Sequence, residues 1–153
     1  MALYAPIHGK ILALEGLRPH PLAKKLVGDG FAVLPFQGKV VAPFEGKIEA
    51  ILANNHTIVL IEKNGLKVLI HIGVNTKQAP MEYFTLQRNV GDTVFPGEEL
   101  VHFDLVKLKE NGYDSRTMVI FPEVFMEQQL SIYARNEVRE LEFLGEIFEG
   151  VTE

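Results

Sequence analysis

The sequence predicts a mostly β fold, closed into a sandwich or barrel, in one domain over residues 1–153. Short runs rich in Val, Ile, Leu and Phe recur with Gly or Pro between them, and this pattern is typical of strands joined by tight turns. No long apolar pattern of helical period occurs before the last third of the chain. A chain of 153 residues buries enough surface to fold without disulfides or metal.

Two repeated patterns support a compact β architecture. The segments 5–11 and 42–48 both read Ala-Pro-x-x-Gly-Lys-Ile, which predicts two similar strand-turn-strand units within one domain. The segments 27–35 and 90–97 each place Gly-Asp ahead of an apolar run. Sharp corners of this kind are what a closed sheet requires at its bends.

The strongest local signal is a hairpin around Asn64 and Gly65. Asn-Gly between apolar runs predicts a two-residue type I′ turn, because both central residues of that turn need positive φ. A two-residue turn pairs Lys63 with Leu66 and places His71 opposite Ile58. It also places His56 opposite Gly73.

This register makes His56 and His71 diagonal neighbours on one face of the sheet, with Cβ atoms roughly 7 Å apart. The conclusion depends on the length of the turn. A three-residue loop shifts the pairing by one residue and directs the two rings to opposite faces.

Helices are predicted to be few. Asp104 is a suitable N-cap for a short helix over residues 105–111, and Gly112 is suited to end it. A second helix is predicted over residues 124–133.

Composition excludes several classes of protein. The chain has no cysteine, which excludes a disulfide scaffold and thiolate zinc sites and fits a reducing compartment. No apolar run approaches the ~18 residues of a membrane span, so a soluble cytoplasmic protein is expected. A formal charge of −5 without a basic stripe argues against nucleic-acid binding.

The histidine pair is the best candidate for chemistry. A neutral imidazole is a nucleophile near neutral pH, and its cation is a donor for anions, so two rings on one face suit phosphoryl transfer or metal binding. The alternative is a pair of half-exposed strand histidines that only pack or bind carbonyl groups. For His8, His20 and His102 the sequence context predicts surface or structural roles.

The residues around the pair suggest a protein-binding surface. Gly73 removes a side chain next to the rings and allows a partner backbone to approach. Leu52, Leu69 and Ile72 are predicted to form an apolar rim that a partner covers, with core packing as the alternative for Leu69 and Ile72.

The segment 65–76, preceded by Asn55-His56, resembles the active-site motif of the glucose-class enzyme IIA domain of the bacterial sugar phosphotransferase system. The resemblance continues through segments 5–9, 27–30, 41–46, 90–94 and 103–105, and only about the last thirty residues lack it. The family has an antiparallel β sandwich-barrel of the duplicated hybrid type with one or two short helices. The resemblance therefore implies this fold for nearly the whole chain.

The resemblance also implies an activity. In the family, the second histidine of the pair accepts a phosphoryl group from the phosphocarrier protein HPr, which makes His71 the predicted acceptor. The group then passes to the IIB domain of the IIB/IIC sugar permease, and His56 matches the histidine that hydrogen-bonds it. Asn54, Gly73 and Thr76 are predicted supporting residues, with the Asn54 amide orienting His56 where the family commonly has Thr.

The predicted partner rim departs from the family in charge. Asn75 stands where the family commonly has an acid, a second acid is missing near Pro19, and Lys24 and Lys77 add the opposite sign. The loop 78–83 also differs. Charge complementarity governs partner choice, so HPr is predicted to be an altered partner.

The same residues bear on three other classes of protein. A regulatory module that keeps the fold and histidines but binds other target proteins is the main alternative. A lysostaphin-type zinc hydrolase needs a His-x-His pair and an upstream His-x-x-x-Asp, and neither surrounds His56 or His71. Biotinyl and lipoyl carriers need a lysine in a context that Lys63 lacks.

No cofactor is predicted to be required, although a zinc ion bridging His56 and His71 with a partner carboxylate is a further alternative. The sugar is not identified by the sequence. The oligomeric state, the role of the acidic C-terminal segment, and whether the chain is a free-standing protein or an excised domain stay open as well.

Overall fold

The fold is almost entirely β in the computed structural model, which describes residues 1–17, 20–24, 28–52, 54–122, 130–132 and 136–147. The strands are β1 (Ala2–Tyr4), β2 (Gly9–Ala13), β3 (Asp29–Pro35), β4 (Lys39–Val41), β5 (Gly46–Leu52), β6 (Thr57–Ile61), β7 (Lys67–His71), β8 (Phe84–Leu86), β9 (Thr93–Val94), β10 (Glu99–Phe103), β11 (Thr117–Phe121), β12 (Leu130–Ile132), β13 (Glu137–Val138) and β14 (Phe143–Ile147). Short 3-10 helices cover Leu14–Leu17, Pro21–Lys24, Thr76–Gln78 and Met81–Tyr83.

The described strands form three antiparallel sheets. The largest has eight strands in the order β13-β2-β3-β11-β7-β6-β5-β9, and two three-stranded sheets have the orders β1-β14-β12 and β4-β10-β8. In the large sheet β7 lies between β6 and β11, so the candidate histidine at its end is held on both sides by neighbouring strands. The prediction of an antiparallel β sandwich-barrel is confirmed.

The two Ala-Pro repeats pair with each other. The N–H of Val41 donates to the carbonyl of Pro6, and the N–H of Tyr4 donates to the carbonyl of Pro43, at 2.8 and 3.1 Å. Ala5 and Ala42 are both fully buried. The two repeats seen in the sequence are therefore joined directly by backbone hydrogen bonds.

The hairpin differs from its prediction by one residue. Ile61 pairs with Lys67, and Thr57 rather than Ile58 lies opposite His71. The N–H of Glu62 donates to the carbonyl of Leu66 at 2.8 Å, which leaves a three-residue loop. Only Gly65 of that loop has positive φ, at 98°, so the two-residue type I′ turn is wrong.

Two clusters of apolar side chains cover the two faces of the large sheet. Val68 and Ile70 of β7 belong to the main core between the sheets. Leu69 points the other way and packs against a smaller cluster that includes Leu17 and Met118. His71 alternates with Ile70, so its side chain lies on the face of the smaller cluster.

The first predicted helix is confirmed and the second is not. The carboxylate of Asp104 accepts a hydrogen bond from the N–H of Lys107 at 3.0 Å and caps α1 (Leu105–Glu110). Gly112, with φ of 79°, follows the helix as expected. In the segment 124–133, Leu130–Ile132 is a strand, and the rest lies outside the described residues.

None of the helices in the described part of the chain is long and apolar enough to cross a membrane.

Candidate functional site

His71 is fixed by a hydrogen bond from its own ring to the turn that follows it. Its Nδ1 lies 2.7 Å from the carbonyl oxygen of Gly73. A carbonyl oxygen only accepts, so Nδ1 carries the ring proton. In the neutral ring the free lone pair is therefore on Nε2.

The carbonyl of Gly73 reaches the ring because the backbone turns sharply at this residue. Gly73 is buried and has a φ of 91°, a conformation that side chains other than glycine rarely adopt. A Cβ atom at this position overlaps the Thr76 side chain and lies 2.9 Å from the Asp114 carbonyl oxygen. The Thr76 hydroxyl in turn donates to the Ile72 carbonyl, so the turn is held from inside.

His56 lies on the same face of the sheet as His71, although the hairpin register alone would not place it there. It lies just before β6, after Asn55 at φ of 65°, and its carbonyl accepts from the N–H of Ile72 at 2.7 Å. The positive φ takes His56 out of the strand alternation. The rings of His56 and His71 meet edge to face, with centroids 4.8 Å apart. The predicted juxtaposition is present although the predicted pairing is wrong.

Asn54 supports the site differently from the expectation. Its amide nitrogen donates to the carbonyls of Lys77 and Ala79 at 2.9 and 3.0 Å. The Nδ1 atom of His56 is buried and has no hydrogen-bond partner among the described residues. Asn54 therefore ties the His56 turn to the loop after His71, and the expectation that its amide orients the His56 ring is not met.

A third histidine, His20, contacts His71 from a segment close to the N-terminus. The two ring centroids are 5.3 Å apart with the planes at 67°. The sequence context of His20 predicted only a surface or structural role, and no local pattern links it to the hairpin. His71 thus lies in contact with two other imidazoles.

The electrostatics of this cluster favour neutral rings. Burial, followed by the charges that His56 and His20 can carry, lowers the pKa of His71 to about 4, and the bond to Gly73 only partly opposes this. Burial also lowers the pKa values of His56 and His20. At neutral pH His71 therefore keeps a lone pair available for attack.

These pKa shifts predict that acid destabilises the protein. Above pH 6.5 His71 is neutral in both states, but as pH falls from 6.5 toward about 4 the unfolded chain binds a proton that the folded chain does not. We expect this to remove about 2 kcal/mol of unfolding free energy, discounted for the partial exposure of the ring. Urea unfolding measured across this range checks it.

The matched control is His71→Gln, because carboxylates also titrate in acid. The variant is expected to lose less stability than the wild-type protein over the same pH range. Equal losses in the two proteins contradict the assignment of the effect to His71.

The predicted rim is only partly a surface. Leu52 is 47% exposed, and Leu69 is partly buried against the smaller cluster. Ile72 is fully buried in the main core, so its assignment to a partner-binding rim is wrong. Asn75 is exposed and accepts a hydrogen bond from the N–H of Asp114 at 2.7 Å.

The charges at this edge include a pair that sequence reasoning missed. Arg116 makes a forked contact with Asp114, with its Nη2 2.6 Å from Oδ2. Burial raises the pKa of Asp114, but hydrogen bonds and the charge of Arg116 outweigh this and lower it overall. Lys77 is exposed at this edge, whereas Pro19 and the Lys24 side chain lie outside the described residues.

The two remaining histidines have surface or structural roles, as predicted. His8 bonds to Glu137 at 3.0 Å and His102 bonds to Glu99 at 2.7 Å. Within the described ranges, no group of three or more His, Asp or Glu side chains is placed to hold a metal ion. The zinc alternative therefore has no support from the geometry.

Comparison with known families agrees with the fold and identifies the family. The family model for the phosphoenolpyruvate-dependent sugar phosphotransferase system, EIIA 1, matches residues 1–125. The glucose permease IIA from Mycoplasma capricolum superposes with a TM-score of 0.86 and 25% identity, covering 95% of this chain and 94% of the other.

Two relatives show how the chain relates to longer proteins. It is 33% identical over 138 residues to the glucose-specific EIIA component of Staphylococcus aureus (strain COL), covering 90% of this chain and 83% of that protein. It is 37% identical over 118 residues to the beta-glucoside-specific EIIBCA component of Bacillus subtilis (strain 168), where it spans only 19% of the longer protein. Nothing in these comparisons supports the alternative of a non-catalytic regulatory module.

Proposed function

Because the chain belongs to the EIIA 1 family of the phosphoenolpyruvate-dependent sugar phosphotransferase system and is a phosphocarrier of that system, we propose that His71 is its phosphorylated residue. The acceptor atom in this proposal is Nε2. The observation that carries it is the 2.7 Å hydrogen bond from Nδ1 to the Gly73 carbonyl, which leaves Nε2 as the nucleophilic nitrogen.

The transfer step follows from this tautomer. The Nε2 lone pair attacks the phosphorus of a phosphohistidine on the donor. A new N–P bond forms as the donor's N–P bond breaks, and its electron pair returns to the donor ring. The Nδ1 proton stays in place, so the ring gains positive charge directly against the Gly73 carbonyl dipole. That contact stabilises charge that develops in the transition state.

His56 is proposed to bind the phosphoryl group after transfer. Its Nδ1 is the buried nitrogen without a described partner, which leaves Nε2 as the atom able to meet a ligand. A ring in edge-to-face contact with His71 at 4.8 Å between centroids is close enough to reach the oxygens of a phosphoryl group on His71. Phosphoryl transfer depends mainly on such positioning and charge stabilisation.

The proposed partners are HPr as the donor and a IIB domain of a sugar permease as the acceptor, in the cytoplasm. The exposed side chain of Leu52 supplies an apolar contact beside the histidines. Asn75 is uncharged and accepts a hydrogen bond from the backbone N–H of Asp114, and the carboxylate of Asp114 is paired with Arg116. We infer that HPr meets a rim with little negative charge, which lowers its rate of encounter. No metal is assigned to the proposed step.

The experiment is phosphoryl transfer from phosphoenolpyruvate through enzyme I and HPr to the wild-type chain. Intact mass is expected to show one added phosphoryl group. Phosphorus and nitrogen NMR of the product distinguish an Nε2-phosphohistidine from an Nδ1-phosphohistidine, and peptide mapping assigns it to His71. An unmodified, folded chain, or a phosphoryl group on Nδ1 or on another histidine, overturns the proposal.

A further inference from the structure

We propose that His20 is a third histidine of the phosphoryl site, whose Nε2–H donates a hydrogen bond to the phosphoryl group carried by His71. This inference rests on the proposed function. His20 has no counterpart in the two-histidine motif of the hairpin, and it lies directly before the 3-10 helix Pro21–Lys24.

The position of His20 is fixed by its backbone. Its N–H donates to the Leu17 carbonyl at 3.1 Å, and its carbonyl accepts from the N–H of Ala23 at 2.9 Å. Leu17 and Ala23 are buried in the smaller apolar cluster. The residue is therefore anchored to the packed cover of the sheet face on which His71 lies, as a group that positions a ligand must be.

The tautomer of His20 is fixed as well. Its Nδ1 accepts a hydrogen bond from the N–H of Leu22 at 3.2 Å. An N–H group only donates, so Nδ1 carries no proton and the neutral ring holds its proton on Nε2. If Nδ1 were protonated, its N–H would face the N–H of Leu22, and two hydrogen-bond donors would repel each other. The local backbone therefore keeps His20 as a neutral donor through Nε2.

The arrangement around His71 leaves room for this role. The Nδ1 side of the His71 ring is occupied by the Gly73 carbonyl. The His20 ring contacts His71 at 5.3 Å between centroids, and the His56 ring does so at 4.8 Å. The oxygens of a phosphoryl group on Nε2 lie only two bonds from that atom. They are thus within reach of rings that already touch His71.

A neutral donor suits a carrier. Hydrogen bonds to a charged oxygen are stronger than those between neutral groups, so His20 stabilises the phosphorylated form. Because the ring itself is uncharged, it does not add the strong attraction of an ammonium or guanidinium group that would trap the phosphoryl group. We therefore expect His20 to shift the equilibrium of phosphoryl exchange with HPr toward this chain and to preserve onward transfer.

The test is the equilibrium of phosphoryl exchange between phospho-HPr and the free chain, measured by intact mass for wild type, His20→Leu, His20→Gln and His102→Leu. Removing the donor in His20→Leu is expected to move the equilibrium toward HPr by about tenfold or more. Gln places an amide N–H near the position of Nε2 and is expected to restore most of the effect. The surface variant His102→Leu is expected to match the wild type.

This readout separates ligand binding from a structural role. A side chain that only supports the fold acts equally on both forms and leaves the equilibrium unchanged, so a wild-type equilibrium in folded His20→Leu overturns the inference. Failure of the wild type to be phosphorylated on His71 instead overturns the proposed function.

If His20→Leu does not fold, a second measurement on the wild-type protein tests the inference. Phosphorylation is expected to shift the Nε2 resonance of His20 in nitrogen NMR, and an unchanged His20 ring also overturns the inference.

Discussion

A His71→Gln variant is expected to accept no phosphoryl group from phospho-HPr. The Gln amide can occupy much of the same space, but its nitrogen has no available lone pair and cannot attack phosphorus. Since His71 is only partly buried at the end of β7, the fold is expected to survive the change. Intact mass after incubation with phosphoenolpyruvate, enzyme I and HPr checks the result. Full acceptance by the variant would place the acceptor elsewhere.

His56→Leu is the informative contrast, because it removes the proposed Nε2–H donor and leaves the nucleophile in place. This variant is expected to accept the phosphoryl group but to pass it to a IIB domain about 10²-fold more slowly, the cost typical of removing one donor at a transition state. The onward rate is measured by chasing the phosphorylated variant with IIB. Wild-type onward transfer in His56→Leu would leave that ring without a role in the chemistry.

The strands and the site hairpin could be predicted because their signals are local. Asn64-Gly65 located the turn, and the two Ala-Pro repeats located two units that pair with each other. The register was missed because a three-residue loop with one glycine at positive φ and a two-residue turn share the same Asn-Gly signal. The rings of His56 and His71 meet because Asn55 leaves the strand conformation, which sequence alternation cannot reveal.

The rest of the site depends on contacts between distant segments. His20 reaches His71 only because the segment that carries it folds over β11 and β7, and no spacing in the sequence encodes that contact. Ile72 and Leu52 are both apolar residues close to the histidines in sequence, yet Ile72 is fully buried and Leu52 is 47% exposed. Burial is decided by the sheets that pack together, and the local pattern does not report it.

The turn that orients His71 is expected to be the most sensitive point of the site. Gly73→Ala is predicted to cost about 3 kcal/mol or more of unfolding free energy, because alanine at φ of 91° is strained and its Cβ also overlaps Thr76. Relief of that overlap moves the Gly73 carbonyl, which is the hydrogen-bond acceptor of His71 Nδ1. Without this acceptor, the tautomer of the His71 ring is no longer fixed. Slower phosphoryl acceptance is expected to accompany the loss of stability.

Gly65→Ala provides the matched control. Gly65 has a similar φ of 98°, but in the described part of the chain nothing lies within 4 Å of the Cβ that alanine would add. Its cost is therefore the backbone strain alone, about 1 kcal/mol. Urea unfolding of both variants isolates the packing contribution, and nitrogen NMR reports the His71 tautomer. If Gly73→Ala is no less stable than Gly65→Ala and keeps the wild-type tautomer, the close contact with Thr76 does not hold the His71 ring in place.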